Sequence, residues 1–484
     1  MKIKRSRSIA GTLVAGVFGL VAQGSAQSLE LTLPQAVAEA LAKNERMLDH
    51  ATAAAQVDLD LRLARSAFGL KVTPNVFGSF GQTDVAAQHY RVDVAQQYAW
   101  GTGMRVSVGT ATSQIPSLDG RGDVRFYNAD TTLLLTQPLL RGFGTTVTRR
   151  ALTGAELRQS AIERQGDVVR RQVAIDTAAA YYQLVGQHAF VAVGRAAVER
   201  GRALLEAAEA KLAAGLVSQL DVLRARQLRA DAEHQLSDAV AALDESGDAL
   251  ATLMGREPGG AFVVDAEIPR VVGDVDAETA IRTALASRVD LRNLAAAVTE
   301  AETRVAASRN AQLPQVDVNV AMTRRQTASG FLDSFGRDRF KLATFFTVGM
   351  PVDRTSQAVE LQQAVLERER RERERTTLAR QIAADVRRHL RERERLARAV
   401  AAAEASVDLS RQEVEVARAR YDRGLSNNLD LVAAEGQLLA AEGRRIAALA
   451  QAAVQDLRLQ AAMDVLNPHH VGAPAPAVGP GGPR

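Results

Sequence analysis

KLAAGLVSQLDVLRA, residues 211–225, and RYDRGLSNNLDLVAA, residues 420–434, align without a gap at one fixed offset. The alignment pairs Gly215 with Gly424, Leu216 with Leu425, Ser218 with Asn427, Leu220 with Leu429 and Asp221 with Asp430. Each stretch reads as a helix end followed by a helix start. Glycine suits the exit because leaving a helix commonly requires a left-handed backbone that other residues resist. Ser218 and Asn427 can accept hydrogen bonds from the free amides of the next helix, and Asp221 and Asp430 place negative charge in its first turn. One chain therefore writes the same helix–turn–helix twice.

The flanks extend the repeat. From about 150 to 214 and from about 356 to 423 there is no proline, and apolar residues recur at three, four and seven. Val198, Leu205, Ala208 and Leu212 form one stripe, which the same offset carries onto Val407, Val414, Ala417 and Tyr421. Packing face and turn are thus repeated together. A helix of about 65 residues is roughly 100 Å long, and each is followed by a return helix of about 40. The charged run LERERRERERTTLAR, from Leu366, alternates in sign, with Glu367 and Arg371, and Glu369 and Arg373, four apart. That spacing reads as a solvated helix face rather than a nucleic-acid arm.

A second kind of pattern precedes each long helix. Fourteen of the 20 aromatic residues fall in two windows, Phe68–Phe143 and Phe331–Phe346. There the period is two: VDVNV sets Val316, Val318 and Val320 on one face and Asp317 and Asn319 on the other, and LATFFTVGM sets Leu342, Thr344, Phe346, Val348 and Met350 together. PNVFGSFG from Pro74 and TTLLLTQPLL ending at Leu140 repeat the plan in the first half. Between them lies an extra hairpin, about 90–112. Strands apolar on one side and polar on the other fit a membrane barrel, or a soluble periplasmic β-domain.

The halves lie side by side: QAVAEALAKN from Gln35 answers TAIRTALASR from Thr279, Pro74 answers Pro314, and Pro138 answers Pro351. Each runs helix, strand, loop, strand, long helix, turn, helix. The expected divisions are 27–254 and 278–466, joined by a linker at 255–277 and followed by a Pro/Gly tail at 467–484.

Residues 1–26 read as a cleaved secretory leader: Lys2, Lys4, Arg5 and Arg7, an apolar run from Ile9 to Val21, then small residues at Gly24 and Ala26. Without them the 60 Lys+Arg fall to 56, matching the 56 Asp+Glu, so the basic balance carries no argument for nucleic acid. With no cysteine in the chain, neither disulfides nor a thiol-linked N-terminal lipid is available. No later segment offers about 18 to 20 uninterrupted apolar residues, so a membrane crossing would be made by strands.

No catalytic or metal motif is found: the seven histidines are scattered, and HExxH, GxSxG and Walker loops are absent. His469 and His470 read as solvated tail residues, and the RGD at 121–123 as a chance tripeptide. No enzyme activity, cofactor or metal site is expected.

LTLPQAVAEAL after a leader, TQPLLRGFG, the duplicated helix–strand plan and the paired G(x4)LD turns resemble the TolC-like outer-membrane efflux family over nearly all of the mature chain. The resemblance implies a mainly α fold with a β-barrel portion: two tandem repeats of long antiparallel helical hairpins forming a periplasmic tunnel, and four transmembrane strands per protomer completing a 12-stranded trimeric barrel. It implies a homotrimer in outer-membrane lipid, a periplasmic adaptor docked on the tunnel tip and an inner-membrane pump that supplies the energy. The function implied is the passive exit duct of a tripartite efflux or type I secretion system; the other reading of these helices is a periplasmic coiled-coil scaffold or adaptor without a pore.

The same resemblance makes Gly215, Leu216, Ser218, Leu220, Gly424, Leu425, Asn427 and Leu429 the adaptor-binding tip, and Asp430, Asp221 and Tyr421 the gate. Asp430 matches the family's acidic ring, whereas a second carboxylate three residues on is replaced by Ala433. Both aspartates also read as ordinary helix-start charges. Tyr421 reads either as a latch to Asp221 or as one more member of its apolar stripe.

Overall fold

A computed structural model of the protein describes residues 29–78, 87–116, 123–260, 262–264, 267–270, 273, 275–336, 339–426 and 428–471. The expected leader 1–26, Phe80, Asn427, Arg121 and Gly122 of the RGD tripeptide, and the tail beyond 471 lie outside the described residues.

The chain enters on a short strand β1 (Leu29–Glu30) and two helices, α1 (Leu33–Lys43) and α2 (Glu45–Ser66). Asn44 divides the helices; its side chain accepts from the Arg46 amide at 3.0 Å and donates to the Leu253 carbonyl at 2.8 Å. Strands β2 (Lys71–Gly78), β3 (Ala87–Gln97), β4 (Gly103–Pro116) and β5 (Asp123–Pro138) follow. A single turn of helix, α3 (Thr145–Thr148), leads into α4 (Arg150–Ala213), which folds back as α5 (Gln219–Leu253). After β6 (Phe262–Val263) the order recurs in shorter form: α6 (Ala277–Ser287), α7 (Val289–Ala311), β7 (Gln315–Ala328), β8 (Lys341–Gly349), α8 (Thr355–Asp422) and α9 (Asn428–Ala462).

The long helices meet the lengths expected from their proline-free stretches, 64 residues in α4 and 68 in α8, while both return helices hold 35 rather than about 40. Among the described residues no helix is long and apolar enough to cross a membrane.

The sheet departs from expectation. Its order is β2-β3-β4-β5-β7-β8, every neighbouring pair antiparallel, so this sheet holds six strands, two more than the four expected to cross the membrane. The extra hairpin at 90–112 is β3 and β4, laddered without a break between β2 and β5. Backbone amides and carbonyls of such a hairpin need partners, and insertion into the sheet supplies them on both sides.

Of the four apolar clusters among the described residues, the two largest organise the hairpins. One lies beside the parallel pair of β1 and β6: Leu31, Val37, Tyr181, Leu250, Met254, Val454 and Leu466 are buried together, and the Tyr181 hydroxyl donates to the Leu31 carbonyl at 3.0 Å. Here also Arg256 forks onto Glu39, Nε to Oε1 at 2.8 Å, and holds that carboxyl down at about 2. The other cluster lies toward the paired turns, where Leu205 and Ala208 of α4 meet Val407, Val414, Ala417 and Tyr421 of α8. The repeated stripe is therefore one shared seam between the two hairpins, although Leu212, nearest the turn, is left exposed.

Candidate functional site

The two ends of the molecule carry different chemistry. In the sheet, directly paired residues point to the same side, and successive residues to opposite sides. One row reads Val72, Val94, Val106, Leu133, Met322, Leu342 across all six strands. The next, on the opposite face, reads Thr73, Asp93, Ser107, Thr132, Thr323, Lys341. The apolar face continues through Val316, Val318, Phe346 and Val348. Hydrogen bonds tie the polar face across strands. Ser107 donates to Asp93 at 2.6 Å, as does Asn75 at 2.9 Å; Thr136 donates to Asn319 at 2.9 Å, and Asn319 to Thr347 at 3.0 Å.

This apolar face is bare. Val72, Val76, Leu342, Phe346 and Val348 are all more than half exposed. Edge strands β2 and β8 each have a neighbour on one side only. A sheet apolar on one face, polar on the other and open at both edges is incomplete as a water-soluble unit.

At the far end the two turns close with the same hydrogen bonds. Gly215 (φ 69°) donates to the Leu212 carbonyl and Leu216 to that of Lys211; Gly424 (φ 72°) donates to Tyr421 and Leu425 to Arg420. These are the paired bonds that terminate a helix through a left-handed glycine. Ser218 then caps α5: the Asp221 amide donates to its hydroxyl at 3.3 Å, and the Asp221 carboxylate accepts from the Ser218 amide at 3.1 Å and hydroxyl at 2.8 Å.

The turns are also fastened to each other. Asn428, fully buried, donates its side-chain amide to the Asp221 backbone carbonyl at 2.5 Å. Lys211 lies 3.8 Å over the Tyr421 ring and donates to the Tyr421 carbonyl at 3.0 Å. Higher up, Glu435 takes Arg200 at 2.6 Å and Arg418 at 3.1 Å, joining both hairpins through one buried carboxylate.

Residues 280–464 match the family model described as outer membrane efflux protein. The match falls on the second half of the chain, from α6 to the end of α9. No curated protein matches this chain at a significant level. Among solved structures, its fold is similar to that of the outer membrane protein VceC from Vibrio cholerae, with 18% identity, 89% of this chain and 95% of that one covered, and a TM-score of 0.67. It is similar also to the outer-membrane channel OprN (16% identity, 90% of each chain, TM-score 0.69) and to the open-state MtrE channel of Neisseria gonorrhoeae (17%, 89% and 88%, 0.66). At these identities the likeness establishes the fold.

The residues singled out by sequence fall into two groups. Gly215, Leu216, Ser218, Leu220, Gly424, Leu425 and Leu429 are exposed at the turns, with Leu216 at 73% and Leu425 at 67% forming an apolar cap on the tip; Asn427 lies outside the described residues. Of the gate residues, Asp430 is exposed in the first turn of α9, whereas Asp221 and Tyr421 are buried. Burial pushes the Tyr421 hydroxyl above the ordinary phenol range, and the charges of Asp221 and Asp422 push the same way. That hydroxyl has no hydrogen-bond partner among the described residues, and the Asp221 carboxylate is occupied by Ser218.

Sequence reasoning missed Asn428, Lys211 and Glu435. Asn428 stands beside Asn427 in SNNL, and nothing in that doublet marks the second amide as the buried one. The apolar stripe that ends at Tyr421 could have drawn attention to Lys211, since a buried ring facing a neighbouring helix is a natural seat for a cation.

Proposed function

We propose that the protein is the outer-membrane exit duct of a tripartite efflux or type I secretion assembly. Three copies close their sheets into a barrel in the outer membrane, and their helical hairpins form a periplasmic tunnel through which substrates pass without energy input at this protein. The observation that carries the reading is a sheet with one apolar face, one polar face and two unpaired edges, set at the end of hairpins about 100 Å long. Lipid against the Val72 row and water against the Thr73 row give each face the solvent its side chains require.

On this reading the chain is two repeats, 27–254 and 278–466, joined by the linker 255–277. A periplasmic adaptor docks on the exposed leucines of the tip and couples the duct to an inner-membrane pump. Exposed Asp430, repeated three times about the axis, forms an acidic constriction that favours cations over anions. Asp221 belongs to the frame behind it, capping α5 and carrying the carbonyl that Asn428 grips.

The test is reconstitution. Detergent-purified protein should run as a trimer and give discrete cation-selective conductance in planar bilayers, and Asp430→Asn should reduce that selectivity. A lone monomer without conductance would refute the proposal and leave a scaffold without a pore.

A further inference from the structure

We infer that the β3–β4 hairpin is part of the membrane wall, so that three copies close a barrel of 18 strands, six from each chain. The inference rests on the trimeric duct proposed above and changes its bore.

Four observations place the hairpin in the wall. It is laddered on both sides in continuous register, from Lys71↔Ala95 to Gly78↔Gln88 on one side and from Gly103↔Thr136 onward on the other. Its side chains obey the same two-sided rule as the rest of the sheet: Val92, Val94, Val106 and Val108 share the apolar face, while Arg91, Asp93 and Ser107 share the polar one. A plug standing in a water-filled lumen would have no use for that apolar row.

The turn also points the wrong way for an outer loop. Tyr98 donates to the Thr102 carbonyl at 2.8 Å, and Gly144, just before α3, donates to the Trp100 carbonyl at 3.2 Å. The hairpin therefore reverses at the end of the sheet where the helices join, opposite to the end marked by Gly78, Pro116 and Ala328. Finally, that turn carries the only tryptophan of the chain, Trp100, half exposed and stacked on Tyr98 at 5.3 Å beside exposed Phe143. Aromatic residues at that level are what the rim of a lipid-facing band uses.

Closure follows from direction and count. An up-and-down sheet of six strands ends on β2 and β8, which run oppositely, so β8 of one copy can continue antiparallel onto β2 of the next. These edges hold 9 and 8 residues, a near match in length. With about 4.8 Å between strands and a tilt of about 40°, 18 strands give a backbone diameter of about 36 Å, against about 24 Å for 12. The cross-section of the outer opening is roughly twice as large.

Oxidative cross-linking tests this in the full chain, which has no native cysteine. Val72→Cys with Val94→Cys should bridge within one chain, because the two are direct cross-strand partners. Val72→Cys with Leu133→Cys should bridge at least about ten-fold less, since three strand spacings, about 14 Å, exceed the reach of a disulfide. Where the apolar-face variants fail to reach the membrane, Thr73→Cys with Asp93→Cys, against Thr73→Cys with Thr132→Cys, makes the same comparison on the polar face. Between copies, Val72→Cys combined in turn with cysteine at Leu342, Thr344, Phe346 or Val348 should give a covalent ladder ending at three.

Bridging of position 72 to 133 would overturn the six-strand wall and leave a 12-stranded trimeric duct standing. A ladder ending at two would overturn the 18-strand count together with the trimer. No bridge between copies at any of the four positions would overturn closure through these edges.

Discussion

The side-chain amide of Asn428, at the start of α9, donates to the backbone carbonyl of Asp221 in α5 across 2.5 Å, so one turn of the molecule is held by the other. Because the asparagine is fully buried, no water stands ready to replace it. Asn428→Ala should cost about 2 kcal/mol by leaving the carbonyl unpaired. Asn428→Asp should cost more, because it sets a carboxylate oxygen against a carbonyl oxygen. Thermal unfolding of the purified variants checks the order; an aspartate variant as stable as the native protein would contradict it.

Gly215 and Gly255 share a backbone φ of 69° but have different surroundings. A methyl group on Gly215 would meet nothing within 4 Å, whereas on Gly255 it would lie 2.8 Å from the Lys43 carbonyl oxygen. Gly215→Ala should therefore cost only the left-handed strain, about 1 kcal/mol. Gly255→Ala should add a clash against backbone and lower the unfolding temperature further. Equal shifts would show that the junction near Lys43 yields easily.

Removing the Tyr421 hydroxyl should do little. It is buried without a hydrogen-bond partner among the described residues, and the ring is held by apolar packing and by Lys211. Tyr421→Phe is expected to keep stability within about 0.5 kcal/mol and leave single-channel conductance unchanged, whereas Tyr421→Ala should cost about 3–5 kcal/mol. A rise in conductance for the phenylalanine variant would identify a latch made between copies.

The pair of Glu39 and Arg256 sets an acid limit. Its folded-state carboxyl titrates at about 2 against 4.5 ordinarily, chiefly because of the Arg256 hydrogen bonds, partly offset by burial. A depressed acid stabilises the fold fully above its unfolded value and loses that contribution as pH falls toward the folded value. The difference in unfolding temperature between native protein and Glu39→Gln should thus be constant from neutral pH to about 5 and shrink between about 4.5 and 2. A difference that persists undiminished at pH 2 would contradict this assignment.

Much of the helical architecture was legible because it is local. Absence of proline, a three-to-four spacing and a glycine followed by a capping residue are properties of short windows, and α4, α8 and their turns follow from them. Alternation likewise marked the strands, VDVNV in β7 and LATFFTVGM in β8. What alternation does not encode is which strand lies beside which, so the hairpin of β3 and β4 read as an addition when it is an insertion. Asp221 and Asp430 occupy equivalent places in the repeat, yet one is buried and the other exposed. That difference arises from what faces each of them across the seam, and a single repeat written twice contains no record of it.

The two bare strand edges bear on how the protein can be made. A newly synthesised subunit released into water offers eight or nine consecutive residues of unmatched backbone on each flank, beneath uncovered valines and phenylalanines, and so is a template for fibre-like pairing with its own kind. Slow production with lipid or detergent present from the start will therefore recover more usable material than refolding a concentrated stock.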